Sequence, residues 1–293
     1  MVIRKHKSHK KQSKKTNFSK KRKTNNRKSY KSRKNNKRYT RKVKGGIYDK
    51  DKMISDITNI AEIKTGQIFP VEVAEKIYNI ASIFKPKTTY ELEKAVDEWC
   101  SNKEEAIKTY GDISTWDTSL ITDMSELFSE KLNFNDDISK WNVSNVTNMD
   151  GMFSGAESFN QPLNKWNVSN VKTMRNKFWE AKSFNQHLNN WDVSNVRNID
   201  GMFSDAWSFN QPLNNWNVSN VINMKYMFAG AKSFNQPLNN WNVSNVRDMQ
   251  YMFYNAKSFN QPLNNWNVSN VRNMDGIFND SNMEELPEWY LGR

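Results

Sequence analysis

The 293-residue sequence predicts a repeat solenoid built from 25-residue coils, with a helical cap and a disordered basic tail before it. Tryptophan recurs every 25 residues, and most of the residues between the tryptophans repeat unchanged. The first and last copies are degraded, as expected where a unit has only one neighbour. The recurring residues are Trp116 and a predicted structural ladder of Trp141, Trp166, Trp191, Trp216, Trp241 and Trp266.

Within each unit, the spacing of apolar residues predicts one short strand and one short helix. The pattern L-x-x-W-x-V, as at 163–168, indicates an extended segment that can pair in parallel with its equivalents, about 4.8 Å away. Apolar residues then follow at steps of three and four, which favours one or two helical turns. An Asn-Gln-Pro turn closes the coil. The helical spacing is seen at Val171, Met174, Phe178 and Ala181.

Asparagine also recurs in register. Such a row could present polar contacts to a ligand, or each side chain could bond the backbone of a neighbouring coil. We favour the backbone interpretation because identity in perfect register is typical of an internal ladder. The row comprises Asn145, Asn170, Asn195, Asn220, Asn245 and Asn270.

The chain divides into four predicted segments. Residues 1–46 form the disordered tail, 47–111 a helical capping segment, 112–280 about seven solenoid units counted from Trp116, and 281–293 a C-terminal cap. In the capping segment, a helix is predicted to begin after Pro70. Thr88-x-x-Glu91 and Ser101-x-x-Glu104 are possible capping boxes for two further helices, and Gly111 is predicted to end the second of these.

The tail is strongly basic. Lys and Arg fill about half of residues 1–44 and the first carboxylate is Asp49, whereas the rest of the chain has more acids than bases. So few apolar residues cannot form a core, and we expect a disordered arm that binds nucleic acid or another polyanion. An import signal at 20–23, an anionic membrane surface and simple solubilisation are alternatives. The predicted contacts are Lys20, Lys21, Arg22, Lys23, Arg27, Lys28, Arg33, Lys34, Lys37, Arg38, Arg41 and Lys42.

The rest of the sequence does not indicate catalysis, a metal site or a cofactor. His187 stands where other units have proline, and Cys100 is expected to be a buried thiol. Asp150, Asp200 and Asp275 share one position, but other units place cations or amides there, which argues against a metal ladder. We therefore predict a non-enzymatic protein. No signal peptide or membrane span is apparent, and we expect an intracellular setting, with nucleus and virion as candidates.

Aromatic residues at positions that vary between units are candidate partner contacts. Other units have Gly, Ser, Ala or Lys at these places, so the aromatics are not required by the repeat. Packing between adjacent turns is an equal alternative. The candidates are Trp179, Trp207, Tyr226, Tyr251 and Tyr254.

The motif W-[ND]-V-S-N-V-x-N-M-x-x-M-F-x-x-A-x-S-F-N-Q-P-L-N-N, over about residues 112–280, resembles the BspA-like leucine-rich-repeat family. That family includes surface proteins of mycoplasmas and related proteins of large DNA viruses and protists. The resemblance implies a leucine-rich-repeat-like solenoid that binds proteins or is displayed on a surface. A weaker resemblance, P-x-E-V-x-x-x-I-x-x-I-A within 68–86, is similar to the first helix of an F-box.

Three functional hypotheses follow. The first is a protein-binding solenoid that its cationic tail tethers to nucleic acid or another polyanion. The second is a structural protein of a virion whose tail contacts the genome. The third, which the F-box resemblance implies, is a substrate adaptor of a ubiquitin ligase. The protein partner and the oligomeric state are not identified by the sequence.

Overall fold

The computed structural model describes residues 52, 54–56, 58, 70–73 and 83–292. All described residues belong to one compact unit, Lys50–Arg293. The predicted tail and most of the F-box-like stretch therefore lie outside the described residues. Residues 71–73, directly after Pro70, are helical.

The helices of the described part lie at the two ends of the repeats. Helix α1 spans Thr89–Ser101 and α2 spans Lys103–Tyr110, and a 3-10 helix follows at Ile113–Thr115. After the repeats, α3 spans Glu288–Leu291. Gly111 ends α2 with a positive φ of 73°, as predicted. None of these helices is long and apolar enough to cross a membrane.

Side chains cap the two N-terminal helices. The Thr88 hydroxyl accepts a hydrogen bond from the Glu91 N–H at 3.2 Å, so this predicted cap is confirmed. The second predicted cap is wrong by one residue. Ser101 is still the last residue of α1, and the side chain of Asn102 accepts from the Glu105 N–H at 3.4 Å instead.

Each repeat unit consists of turns and isolated bridges, without the predicted short strand and short helix. Parallel bridges such as Asn198↔Asn223 join consecutive units at one residue each. Backbone N–H groups of alternate residues after the bridge donate to the next unit, as Phe203 N does to Met227 O at 2.9 Å. These donors are therefore not available for the bonds of an α-helix. Three- and four-residue apolar spacing is compatible with these turns as well.

Phenylalanines form two columns through the core. In one unit the rings of Phe203 and Phe209 stack with their centroids 4.0 Å apart. Phe203 also stacks on Phe178 at 5.6 Å and on Phe228 at 5.7 Å, its equivalents in the adjacent units. All of these rings are fully buried. Equivalent residues of consecutive units thus lie against each other, and the contact repeats along the chain.

The tryptophans form a third buried column. Trp216 stacks on Trp241 with 6.4 Å between centroids, and its indole N–H donates to the Leu188 carbonyl at 2.9 Å. At the C-terminal end, Trp289 stacks on Trp266 and makes a similar bond to Leu263. Buried indoles that donate to a carbonyl 28 residues earlier are Trp141, Trp166, Trp191, Trp216, Trp241 and Trp266.

The asparagine row joins the units along another line. Asn220 Nδ2 donates to the carbonyl of Ser194 in the preceding unit at 2.8 Å. The five other members of the row make the same contact at 2.7 to 2.8 Å. The favoured interpretation, a backbone ladder and not a row of ligand contacts, is confirmed for these side chains.

Aromatic residues before the repeats cover the first tryptophan. Phe84, Trp99 and Tyr110 surround Trp116 with ring centroids 5.1 to 5.9 Å away. Trp99 belongs to α1, whose buried face lies in the same apolar cluster as the repeat units. The N-terminal side of the first unit is therefore covered by this helix and by the residues that flank it.

Candidate interaction surface

Variation between units is concentrated in one part of the repeat. With the tryptophan counted as position 1, positions 18–24 read S-F-N-Q-P-L-N in the second to sixth units, with His187 as the exception. Positions 7, 10, 11, 14, 15 and 17 differ from unit to unit. Because equivalent residues lie against each other along the chain, we call these six rows of side chains the variable columns. At these positions the units differ in the side chains that a partner could contact.

Three of the candidate aromatics form one cluster in the variable columns. The rings of Tyr226 and Tyr251 stack with centroids 5.3 Å apart, and the Tyr254 ring meets Tyr251 edge-on at 5.6 Å. Tyr226 is 36% exposed and Tyr254 is 39% exposed. We call these three residues the tyrosine cluster. Its rings keep contact with one another and with solvent, as expected of anchors for a partner.

The backbone of the tyrosine cluster is strained. Tyr226 and Tyr251 both have a φ of 54°, in the left-handed region, where other units have Gly151, Gly201 and Gly276. This conformation costs a residue with a side chain about 1–2 kcal/mol. The Tyr251 ring also covers Gly276, where a Cβ would lie 2.3 Å from the ring. Glu126 and Asn176 have the same positive φ at this position in two other units, so the turn accommodates side chains and does not itself require tyrosine.

The two candidate tryptophans occupy other environments. Trp207 is 38% exposed, and its ring lies 3.5 Å from the Lys232 ammonium and 4.9 Å from that of Lys182. Trp179 is half-buried. The structure therefore brings together three of the five predicted partner contacts, and places Trp207 in a cation–π arrangement that the sequence did not predict.

The titratable residues considered in the sequence are dispersed. Cys100 is exposed, contrary to the prediction, because α1 turns its neighbour Trp99 into the core. Partial burial of the thiol raises its pKa to about 11, so it is protonated at neutral pH. His187 is exposed. Burial also raises the pKa of Asp200, against the effect of Arg175 and Lys225. In the described ranges, no three His, Cys, Asp or Glu side chains are grouped to hold a metal ion.

One unusual residue, a buried lysine, was not predicted from the sequence. Lys177 is fully buried, and its ammonium nitrogen lies 3.3 Å from the sulfur of Met149 and 3.2 Å from that of Met152. Burial lowers its pKa well below the ordinary lysine value. The available signal was its position, because four other units have methionine there.

The predicted polyanion-binding residues between Lys20 and Lys42 lie outside the described residues. Their contacts stay a prediction.

Comparison with known proteins gives one match. A family model described as "Mycoplasma protein of unknown function, DUF285" matches residues 98–211 and again residues 187–289. Two overlapping matches fit the internal repetition of the chain, and together they cover the repeat units. No curated protein and no solved structure matches this sequence.

Proposed function

Because the chain belongs to the family described as "Mycoplasma protein of unknown function, DUF285", we propose that it is a non-enzymatic repeat protein whose units form a solenoid that binds another protein. The observation that carries this proposal is the tyrosine cluster. The exposed Tyr226 ring stacks on the half-buried Tyr251 ring of the next unit, and the exposed Tyr254 ring packs against Tyr251, so the three form a solvent-accessible aromatic surface suited to anchor a partner. The resemblance to BspA-like leucine-rich-repeat proteins supports the same class of function.

The repeated core holds the turns that carry these anchors in place. Tyr226 and Tyr251 stand on turns whose N–H groups bond the next unit, as Tyr226 N does to Gln250 O at 2.9 Å. The buried phenylalanine columns lie beneath the same turns, since Phe228 and Phe253 stack at 5.7 Å. Side chains held in this way lose little conformational freedom when a partner binds.

The test replaces the cluster with residues that other units carry. In the full chain, the combined change Tyr226→Gly, Tyr251→Gly and Tyr254→Ser should reduce recovery of the partner by tenfold or more in cross-linked affinity purification with quantitative mass spectrometry. Trp207→Lys, which restores the residue that three other units carry (Lys182, Lys232 and Lys257), is the matched control and should retain the partner. Undiminished recovery with the triple variant would refute the tyrosine anchor.

We further propose that the N-terminal tail tethers the protein to nucleic acid or another polyanion. The support is its charge, because Lys and Arg fill about half of residues 1–44 without an acid. If about ten of these charges neutralise phosphates, log affinity falls with log salt at a slope of about −9. Deletion of residues 1–44 should abolish salt-sensitive retention on immobilised DNA and RNA and leave thermal unfolding unchanged. Retention that survives the deletion would exclude the tether.

A further inference from the structure

A line of cations occupies position 7 of the later units. Lys172, Arg197, Arg247 and Arg272 fill this position, and Ile222 lies in the middle of them. The four cations are exposed, and Ile222 is 38% exposed. We call these five residues the cationic stripe. It belongs to the variable columns but is separate from the aromatic candidates.

Backbone bonds hold the cationic stripe in register. The N–H at each position 7 donates to the carbonyl of the equivalent residue in the preceding unit: Arg197 to Lys172 and Ile222 to Arg197 at 2.9 Å, Arg247 to Ile222 and Arg272 to Arg247 at 2.8 Å. Backbones bonded side by side in this way are about 4.8 Å apart. Four such steps give a row about 19 Å long.

The charge of the stripe is not neutralised nearby. Within the part of the chain that the structure describes, the ion pairs involve other lysines, such as Lys131 and Lys182. Position 10 of the same units mixes signs, because Arg175, Asp200 and Lys225 occupy it in consecutive units. The stripe is thus a narrow line of positive charge beside a row of mixed charge.

We propose that the cationic stripe binds an extended acidic segment of a protein partner, with acidic side chains on both sides of an apolar residue that contacts Ile222. The proposal rests on the protein-binding function proposed above and specifies the chemistry of one contact. In an extended peptide, alternate side chains point the same way about 6.7 Å apart, within reach of long Arg and Lys side chains. Opposite charges then fix the register of the segment.

The apolar centre and the neighbouring acids favour a peptide over nucleic acid. A duplex spreads its phosphates over a broad surface, and at position 10 they would meet Asp200 and Asp275 in addition to Arg175 and Lys225, whereas the stripe itself has no acid. An extended peptide is narrow enough to follow one column. An Ile, Leu or Val side chain of a peptide can make apolar contact with Ile222. A phosphate backbone has no apolar group for this contact.

The test uses a defined probe on the full chain. A nine-residue peptide with Asp and Glu on both sides of a central photoreactive benzoylphenylalanine is cross-linked to the protein, and the adduct is located by mass spectrometry. We expect the label within residues 198–225, the tryptic fragment that contains Ile222. Arg197→Glu with Arg247→Glu should reduce the label about tenfold or more. This variant lacks the trypsin site at Arg197, so its label is measured in the longer fragment 183–225, which also contains Ile222. Because the tail also attracts acidic peptides, the position of the label, and not total binding, is the readout.

Matched variants separate the stripe from charge in general. Lys140→Glu with Lys165→Glu makes the same charge change at two exposed lysines outside the stripe and should retain the label. Ile222→Ser should reduce the label without changing charge. Thermal unfolding of each variant establishes that the fold persists, and Arg197→Gln with Arg247→Gln gives a milder change if it does not.

Three results would overturn the proposal. They are labelling confined to residues 1–44, equal loss in both charge-reversal variants, and displacement of the label by oligothymidylate more readily than by unlabelled peptide, which would assign the stripe to nucleic acid. If the peptide labels the stripe but the tyrosine triple variant still recovers the partner, the stripe is supported and the tyrosine anchors are rejected. If the triple variant loses the partner but the peptide does not label the stripe, the anchors are supported and the stripe is rejected.

Discussion

At the scale of single residues, Lys177 is the main exception to the chemistry of the core. Its ammonium nitrogen lies between two methionine sulfurs and within 5.0 to 5.7 Å of the ring centroids of Phe153, Trp166, Phe178 and Trp191. Thioethers and ring faces replace water poorly, so burial disfavours the charged form and lowers the pKa. The unfolded chain binds this proton more readily than the folded one. The folded state is therefore destabilised at every pH below the ordinary lysine pKa, most strongly below the lowered pKa of the folded state.

We predict that Lys177→Met stabilises the protein and removes one source of pH dependence. Methionine, as in Met152 and Met202, should raise the free energy of unfolding at pH 7 by about 1–4 kcal/mol. In the wild type, unfolding takes up a proton between the lowered folded pKa and the ordinary value of 10.5. Stability therefore rises with pH across that window, by up to about 1.4 kcal/mol per pH unit. Urea unfolding at pH 7 and pH 9.5 measures both effects.

Lys165→Met is the control for that experiment because Lys165 is exposed at the end of its unit. It should change the free energy of unfolding by no more than about 0.5 kcal/mol. If Lys177→Met changes neither the free energy of unfolding nor its dependence on pH, the lysine is not buried as described.

The candidate site could be predicted from the sequence only in part. Tyr226, Tyr251 and Tyr254 were identifiable because they interrupt a near-perfect repeat. Their grouping was not, because contact between Tyr251 and Tyr254 depends on the turn between positions 11 and 14. The positive φ at position 11 was not apparent either, since the Gly residues there have several possible explanations.

At the scale of the element, the repeat period and the buried residues were predictable, whereas the secondary structure within a unit was not. Residues such as Val168, Phe178 and Trp191 are buried as their spacing predicts. The same spacing indicated a helix because apolar periodicity reports which side chains face inward, not where backbone donors go. Here those N–H donors bond carbonyls of the next unit, and this pairing depends on residues about 25 positions away in the sequence.

The tryptophan column yields a prediction at this scale. Trp216→Phe keeps an aromatic ring in the stack but removes the donor to the Leu188 carbonyl, which is 2.9 Å away in a buried site. The Leu188 carbonyl still accepts from the Trp191 N–H at 3.0 Å, so the variant loses one hydrogen bond, and we expect the free energy of unfolding to fall by about 0.5–1.5 kcal/mol. Chemical denaturation followed by fluorescence of the remaining tryptophans measures it.

Trp207→Phe is the comparison for this prediction, because Trp207 is 38% exposed and lies outside the column. It should cost less than about 0.5 kcal/mol. Equal effects of the two substitutions would mean that the indole bonds of the column contribute nothing measurable to stability.

At the scale of the whole molecule, the interfaces between units repeat the same backbone bonds and the same phenylalanine stacks. Gly201, Phe203 and Asp205 donate to the unit after them, and Phe153, Gly151 and Gly155 do the same two units earlier. A unit therefore needs a neighbour of the same kind but no particular neighbour. Stability should then be close to a sum over interfaces, as in other repeat proteins.

This additivity predicts that the protein tolerates loss of a whole unit but not of half a unit. Deletion of residues 216–240 joins Asn215 to Trp241, which recreates the Asn-Trp junction found between the later units and keeps every column in register. We expect a cooperative urea transition with a lower free energy of unfolding and a smaller m-value, because one unit less of surface is exposed on unfolding. Deletion of residues 216–228 removes one Trp and one Phe from their columns and displaces the turn that follows. It should abolish the cooperative transition, and similar unfolding of the two deletion variants would contradict nearest-neighbour stacking as the source of stability.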